Sequence, residues 1–263
     1  MELWLTIVLF FITGVVSGTF GGLLGIAGAS ILVPALTLIF GLPIHLAIAV
    51  SLLNNVVVSF TATMRYRKQG LLNEKVIFIM NVGSIAGIVI GTFLATRSPE
   101  AMLKVMFGSF LLFMAANGIL HRNAVEGEPI KEPSLEEGAE LSGLGFIMGL
   151  LGALLGLGGG TVAVPVLNTL FRMPMRHAIA NSLATIIVSS SLGALIYFWL
   201  SSGTLFSAEE AILTAVTIIP GSAVGARAGA MLSERLHAKY IKYIFYIMLL
   251  YIAYNMIKSG LGW

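Results

Sequence analysis

The chain has 263 residues, 57% of them hydrophobic and 10% charged, with a net charge of +3. A soluble domain carries roughly 25% charged residues, so a surface that faces water all round is excluded. Cysteine is absent, which removes disulfides and thiolate chemistry, and the basic residues lie in loops rather than on one face, which excludes nucleic-acid binding.

The first apolar stretch, 3–24, follows Glu2 without a basic leader or a small-x-small cleavage site, and reads as a retained span. Further segments follow at 29–40, 43–63, 76–95 and 102–120. Residues 121–140 are polar and carry Glu126, Glu128, Glu132, Glu136, Glu137 and Glu140. Pro129, Pro133 and Gly138 in this stretch oppose a helix, so it is expected to be a linker. A second series occupies 141–157, 160–171, 177–200, 210–232 and 239–258. The second segment of each series is too short to cross comfortably at about 1.5 Å per residue, and is read as a re-entrant or short tilted helix. These runs are continuous rather than alternating, so the expectation is an all-α, polytopic helical membrane protein rather than a barrel. It would have about eight full spans plus two short broken helices.

The two series repeat one another. Residues 14–36 read GVVSGTFGGLLGIAGASILVPAL and residues 145–167 read GFIMGLLGALLGLGGGTVAVPVL. Gly14, Gly18, Gly21, Gly25, Gly28 and Pro34 fall on Gly145, Gly149, Gly152, Gly156, Gly159 and Pro165, and the register runs on to Leu52 and Leu183. Later, Gly83, Gly87 and Gly91 correspond to Gly221, Gly225 and Gly229, and Asn117 to Asn255. The chain is therefore read as two homologous halves, 1–120 and 141–263, joined by the linker 121–140. The Gly-x-x-x-Gly ridges are close-packing faces, which serve internal contacts and equally permit a homodimer.

Basic residues cluster in loops 64–75, 172–177 and 233–242, while 41–44 and 201–210 lack them and 96–104 keeps only Arg97 and Lys104. The positive-inside rule then puts both termini outside and the linker inside. Corresponding loops fall on opposite sides, which favours inverted repeats. Merging each short segment with a neighbour would instead give four spans per half and a parallel repeat.

Enzyme chemistry finds no foothold. The chain has no Asp, no His-Glu-x-x-His and no Gly-x-Ser-x-Gly, and GLGGGT at 156–161 lacks the Lys-Ser/Thr of a phosphate loop. No metal site, cofactor or catalytic residue is expected. The doubled glycine break offers more: an interrupted helix inside a membrane presents free N–H groups and a positive dipole end to an anion. The candidate binding residues there are Gly25, Gly28 and Ser30 in the first break and Gly158, Gly159, Gly160 and Thr161 in the second, with Ser30 and Thr161 as caps. Ser51, Asn54 and Asn55 in one following span, and Asn181, Ser182 and Thr185 in the other, add donors that could replace water around an oxyanion. The bland alternatives are tight packing for the glycines and interhelical hydrogen bonds for the polar residues. Arg227, inside segment 210–232, either faces an anion or snorkels to the surface. His45 and His177 are read as loop residues. No Glu falls deep in a span, which argues against proton coupling through carboxylates.

The paired breaks, with Ser30 and Pro34 matched by Thr161 and Pro165, are each followed by a P-x-x-x-A-x-A-x-S-L stretch (Pro43 to Leu52, Pro174 to Leu183). In these motifs the chain resembles the TauE/SafE sulfite-exporter family of membrane permeases. The resemblance implies a secondary transporter of small sulfur-containing anions, such as sulfite or organosulfonates. It would sit in a prokaryotic plasma membrane, with the lipid bilayer and a small anion as its partners. The rival expectations are a passive anion channel and a scaffold or accessory subunit without transport of its own.

Overall fold

The computed structural model describes residues 3–120, 133–201, 203–235 and 239–262. Described residues form helices joined by short turns. The first half contains α1 (Leu3–Leu24), the short α2 (Ala29–Pro34) with a π-helical turn Ala35–Ile39, α3 (Ile44–Lys68), α4 (Glu74–Arg97) and α5 (Glu100–Leu120). The second half contains α6 (Leu135–Leu155), the short α7 (Gly160–Thr169), α8 (Met175–Ser201), α9 (Ala208–Arg235) and α10 (Lys239–Leu261). Seven of them (α1, α3, α4, α5, α6, α8 and α9) are long and apolar enough to cross a membrane, and α10 adds a shorter apolar stretch, Phe245–Leu261. The protein is a polytopic helical membrane protein.

Most of the linker, 121–132, lies outside the described residues. The remainder is not a linker: α6 starts at Leu135 rather than near 141. Ser134 accepts the Glu137 N–H at 3.2 Å while Glu137 Oε2 accepts the Ser134 N–H at 2.8 Å. This reciprocal cap satisfies the first orphan donors, and acidic side chains in the first turn suit the helix dipole. Gly138, counted against a helix, is tolerated beyond so strong a start.

Pro34 explains the wider turn after α2. It has no N–H to give the carbonyl four residues back, so the regular ladder breaks and the next turn opens to π geometry. Thr37 Oγ1 mends it by donating to the Val33 carbonyl at 2.9 Å.

The glycine ridges do what their spacing predicts. A Cβ at Gly83 would lie 1.8 Å from the Ser142 carbonyl oxygen on α6, and one at Gly145 would lie 2.0 Å from the Met80 carbonyl oxygen on α4. Gly14, Gly18 and Gly22 meet the α9 backbone in the same way, as Gly221, Gly225 and Gly229 meet that of α1. Residue numbers rise together along both contacts, so α4 runs parallel to α6 and α1 parallel to α9. By contrast Gly108 meets Ala253 and Gly260 meets Ala101, which makes α5 and α10 antiparallel. Backbone touches backbone in each pair, as helices without a hydrophobic driving force between them require.

Inside these pairs lie α3 and α8, packed on each other. The loops expected to share one basic end do so. The Arg176 guanidinium donates to Gln69 Oε1 at 2.5 Å, and the Asn73 N–H donates to Asn181 Oδ1 at 2.7 Å. Tyr66 and Ser233 share a hydroxyl hydrogen bond at the same end. At the other end, His45 Nδ1 and the Tyr197 hydroxyl are 2.9 Å apart, and Phe10 packs edge-on against Phe40. His45 is a buried residue of the first turn of α3 and His177 a first-turn residue of α8, not loop residues as expected.

Candidate functional site at the paired glycine breaks

Both helix breaks use one backbone recipe. Gly25, Ala27 and Gly28 have φ of 76°, 54° and 82°, and Gly156, Gly158 and Gly159 have 71°, 69° and 80°. Left-handed backbone at the first, third and fourth positions reverses the chain, so that α2 and α7 fold back along α1 and α6. Gly21 and Gly152 make this possible: a Cβ at Gly21 would lie 2.7 Å from the Gly28 nitrogen, and one at Gly152 3.1 Å from the Gly159 nitrogen. Ala27 adopts the glycine conformation with a side chain, at a cost of about 1 kcal/mol.

The two breaks touch. A Cβ at Gly160 would lie 2.2 Å from the Gly25 carbonyl oxygen and 3.1 Å from the Ile26 Cα, so the start of α7 sits directly on the first break. The polar clusters reach them crosswise, each half serving the other. On α3, Ser51 Oγ and Asn55 Nδ2 both donate to the Gly156 carbonyl, at 2.6 and 2.9 Å. On α8, Ser182 Oγ donates to the Gly25 carbonyl at 3.3 Å. The counterpart of Asn55 is Ile186, so the second break is held by two donors where the first has one from the equivalent helix. Ser17 adds a different tie, donating to the Gly28 carbonyl at 3.0 Å.

Several sequence-derived roles change. Ser30 and Thr161 are not caps: Gly28 and Gly159 occupy the N-cap positions without side-chain bonds, and the two hydroxyls belong to the second residue of each helix. Asn181 does not face a break. Its amide ties α8 to the α3–α4 loop, accepting from Asn73 N–H and donating to the His177 carbonyl at 2.8 Å. Thr185 bonds back to the Asn181 carbonyl within its own helix at 3.0 Å. Arg227 is exposed on α9, while every other polar candidate is buried, so it stands outside the cluster.

The centre carries a surplus of polar atoms, as do other helix positions such as Thr63, Thr92, Ser201 and Ser222, but here they are grouped around the breaks. Ser30 Oγ, Asn54 Oδ1 and Nδ2, Asn55 Oδ1 and Thr161 Oγ1 are buried without a protein hydrogen-bond partner, on residues at most 2% exposed. Native interiors rarely leave such groups unmatched, and each costs about 1–3 kcal/mol if left so. Ser59 and Ser190 join them, and sequence reasoning missed both. They occupy equivalent positions two turns beyond Ser51 and Ser182, so the repeat register held the signal. Ser190 Oγ and Asn55 Nδ2 both lie within 3.4 Å of the space beside Gly158. The adjoining void, lined by Leu52, Ile88, Met148, Gly152, Ser189 and Ser190 among others, is too narrow to admit a water molecule.

Helix geometry adds donors. The Ile31 and Leu32 amides bond the Gly28 carbonyl, and those of Val162 and Ala163 bond the Gly159 carbonyl. The first amides of α2 and α7 therefore point into the break without an intrahelical acceptor. Amides, hydroxyls and carboxamides around a water-excluded point can hold a small oxyanion through dipoles alone. No charged side chain occurs among these residues.

The sulfite exporter TauE/SafE family pattern matches residues 10–256. A probable membrane transporter protein, YunE of Bacillus subtilis (strain 168), is 27% identical over 280 residues, covering 98% of this chain and 99% of its own. A probable membrane transporter protein of Methanocaldococcus jannaschii is 29% identical over 248 residues, covering 89% and 90%. The probable membrane transporter protein MamO of Magnetospirillum gryphiswaldense is 28% identical over 274 residues, 92% of this chain but 43% of that protein. No solved structure matches the chain.

Proposed function

This chain belongs to the sulfite exporter TauE/SafE family, and from that premise we propose that it is a secondary transporter of small sulfur-containing anions such as sulfite or organosulfonates. It is a multi-pass membrane protein of the prokaryotic plasma membrane. The anion binds where the two glycine breaks meet, held by the first amides of α7 and the side chains of Ser30, Asn54, Asn55 and Thr161. The observation that carries this reading is the set of buried, unmatched polar atoms on those residues.

We read the halves as inverted repeats. Support comes from the helix pairs: α1 runs with α9, which ends at the basic end by Tyr66, whereas α6 runs with α4, which starts there. Equivalent helices α1 and α6 then point in opposite directions. Exchange of the two halves' conformations about the shared break gives alternating access. The tightness of the central void fits a carrier that must move to admit its substrate, and a passive channel needs a wet continuous path instead. A cell interior that is electrically negative drives anion export without a coupled ion.

Radiolabelled sulfite flux into proteoliposomes tests the function. A carrier gives saturable flux accelerated by sulfite on the opposite side. Flux linear in concentration would indicate a channel, and none at all an accessory protein.

A further inference from the structure

Around the paired breaks several backbone carbonyls are already occupied. The Gly156 carbonyl accepts from Ser51 and Asn55, that of Gly25 from Ser182, and that of Gly28 from Ser17. The unmatched hydroxyls of Ser30, Thr161 and Ser190 can turn to donate or to accept. Asn54 has both ends of its carboxamide unmatched and can present either one. Asn55 has no such freedom. Its Nδ2 donates to the Gly156 carbonyl at 2.9 Å, and reversing the amide would set two acceptor oxygens against each other. Asn55 Oδ1 is thereby fixed as an acceptor, on a fully buried residue, and takes no hydrogen bond from the protein.

That oxygen belongs to the second break. A Cβ built on Gly158 would lie 3.1 Å from Asn55 Nδ2, the other end of the same planar group, and 3.4 Å from Ser190 Oγ. The acceptor has no repeat equivalent. Ile186 stands in its place in the second half, and Thr185, in the place of Asn54, donates to the Asn181 carbonyl at 3.0 Å. Of the two equivalent helices, α3 alone brings carboxamides to the breaks.

Charge sets a second condition. Among the described residues none around the breaks is charged, and Arg227 is exposed on α9. The positive end of a ten-residue helix such as α7 amounts to about half a unit charge. The desolvation penalty of an ion grows with the square of its charge, so such a centre tolerates one negative charge far better than two. An anion that only accepts would satisfy the amides and hydroxyls but set a negative oxygen against Asn55 Oδ1. An anion that carries an O–H satisfies both.

We propose that the anion held at the breaks bears a single negative charge and a hydrogen-bond donor of its own, and that Asn55 Oδ1 accepts from that donor. The inference rests on the transporter reading above and narrows its substrate class. The preferred ligand is a protonated oxyanion such as hydrogensulfite, or a hydroxyalkyl sulfonate, over the sulfite dianion or sulfate. Asn55 is then the specificity-determining residue, because a site built to bond a substrate hydroxyl rejects the analogue that lacks one. Each hydrogensulfite moved takes one proton with it.

Ligand-dependent melting of the purified protein gives dissociation constants for hydroxyethanesulfonate and propanesulfonate. The two have equal charge and equal numbers of heavy atoms, and differ in a terminal hydroxyl against a methyl. The hydroxylated anion binds the unaltered protein about tenfold or more tightly, and the preference disappears in Asn55→Leu. Ser51 still holds the Gly156 carbonyl in that variant, and Ser51→Ala, which removes the other donor from the same carbonyl, keeps the preference. Sulfite supplies the charge test on the unaltered protein. Its dissociation constant rises about tenfold per pH unit above the pH at which hydrogensulfite loses its proton, while that of hydroxyethanesulfonate stays level. The residues set against Asn55 are Ser51, Gly156, Gly158 and Ser190, none of which titrates in that range, so the slope belongs to the ligand.

Equal affinity of the unaltered protein for the two sulfonates, or a level sulfite affinity across the pH range, overturns the proposal. Survival of the preference in Asn55→Leu places the acceptor elsewhere and also overturns it. No stabilisation by sulfite or by either sulfonate overturns it together with the anion site. If the preference and the pH slope appear while proteoliposomes carry no sulfite, the donor-reading site stands and the transport reading falls.

Discussion

At the residue scale, the breaks differ where the repeat departs from itself. Ala27 holds a left-handed φ of 54° that Gly158 holds freely at 69°. Ala27→Gly exchanges strain relief for added chain entropy, and both are about 1 kcal/mol, so stability should change by less than ~1 kcal/mol. Gly158→Ala adds strain and puts a methyl 3.0 Å from Ile186 and 3.1 Å from the Asn55 amide. It should cost more than ~1 kcal/mol and abolish sulfite flux, as read by thermal melts and by liposome assay. The Gly156 carbonyl offers a second comparison, because two donors share it. Ser51→Ala alone should cost about 0.6 kcal/mol, while Ser51→Ala with Asn55→Ala strands a buried carbonyl and should cost about 1–3 kcal/mol. A double-mutant cycle that proves additive would contradict shared satisfaction. The sequence showed that these residues recur beside the breaks. It could not show that they serve the opposite half, since periodicity places a residue on a face but does not say which neighbour that face meets.

At the element scale, helix pairs are set by glycine, and the test is positional. Gly143 and Gly145 lie in the same helix, one facing open space and the other so placed that a Cβ would lie 2.0 Å from the Met80 carbonyl oxygen. Gly143→Ala should gain up to about 1 kcal/mol from helix propensity, whereas Gly145→Ala should lose about 1–3 kcal/mol by forcing α6 from α4. Thermal melts of the two variants that moved together would refute the ridge as the pairing device. The short helices were legible because their length and the flanking glycines agree. The start of α6 was not, because a capping box overrode the polar composition that had suggested a linker. Ser30 and Thr161 illustrate the same limit: their types suit caps, but left-handed glycines took the cap positions and left both hydroxyls facing inward.

At the scale of the molecule, the proposed alternating access requires two ends to open in turn about one fixed centre. The basic end is held by the Tyr66 hydroxyl, which donates to the Gly22 carbonyl at 3.0 Å and meets Ser233. The opposite end is held by His45 and Tyr197, the repeat counterpart of Tyr66. Because the chain has no cysteine, pairs can be introduced singly without removing a native thiol. Tyr66→Cys with Ser233→Cys, bridged by a short dithiol reagent, should stop sulfite flux and release it on reduction. Unchanged flux through the bridged protein would argue against movement at that end. Loop charges are what suggested opposed halves in the proposed reading, but Arg227 shows where charge alone misleads: a basic residue within a span can simply face outward.

The central claim is that the paired glycine breaks hold the anion, and selenite makes it directly visible as a heavier analogue of sulfite. Anomalous scattering from a selenite-soaked crystal should give a peak bounded by Asn54, Asn55, Thr161 and the first amides of α7. The peak should vanish in Asn54→Leu with Thr161→Val. An anomalous peak at saturating selenite found only elsewhere, with the breaks empty, would contradict the account.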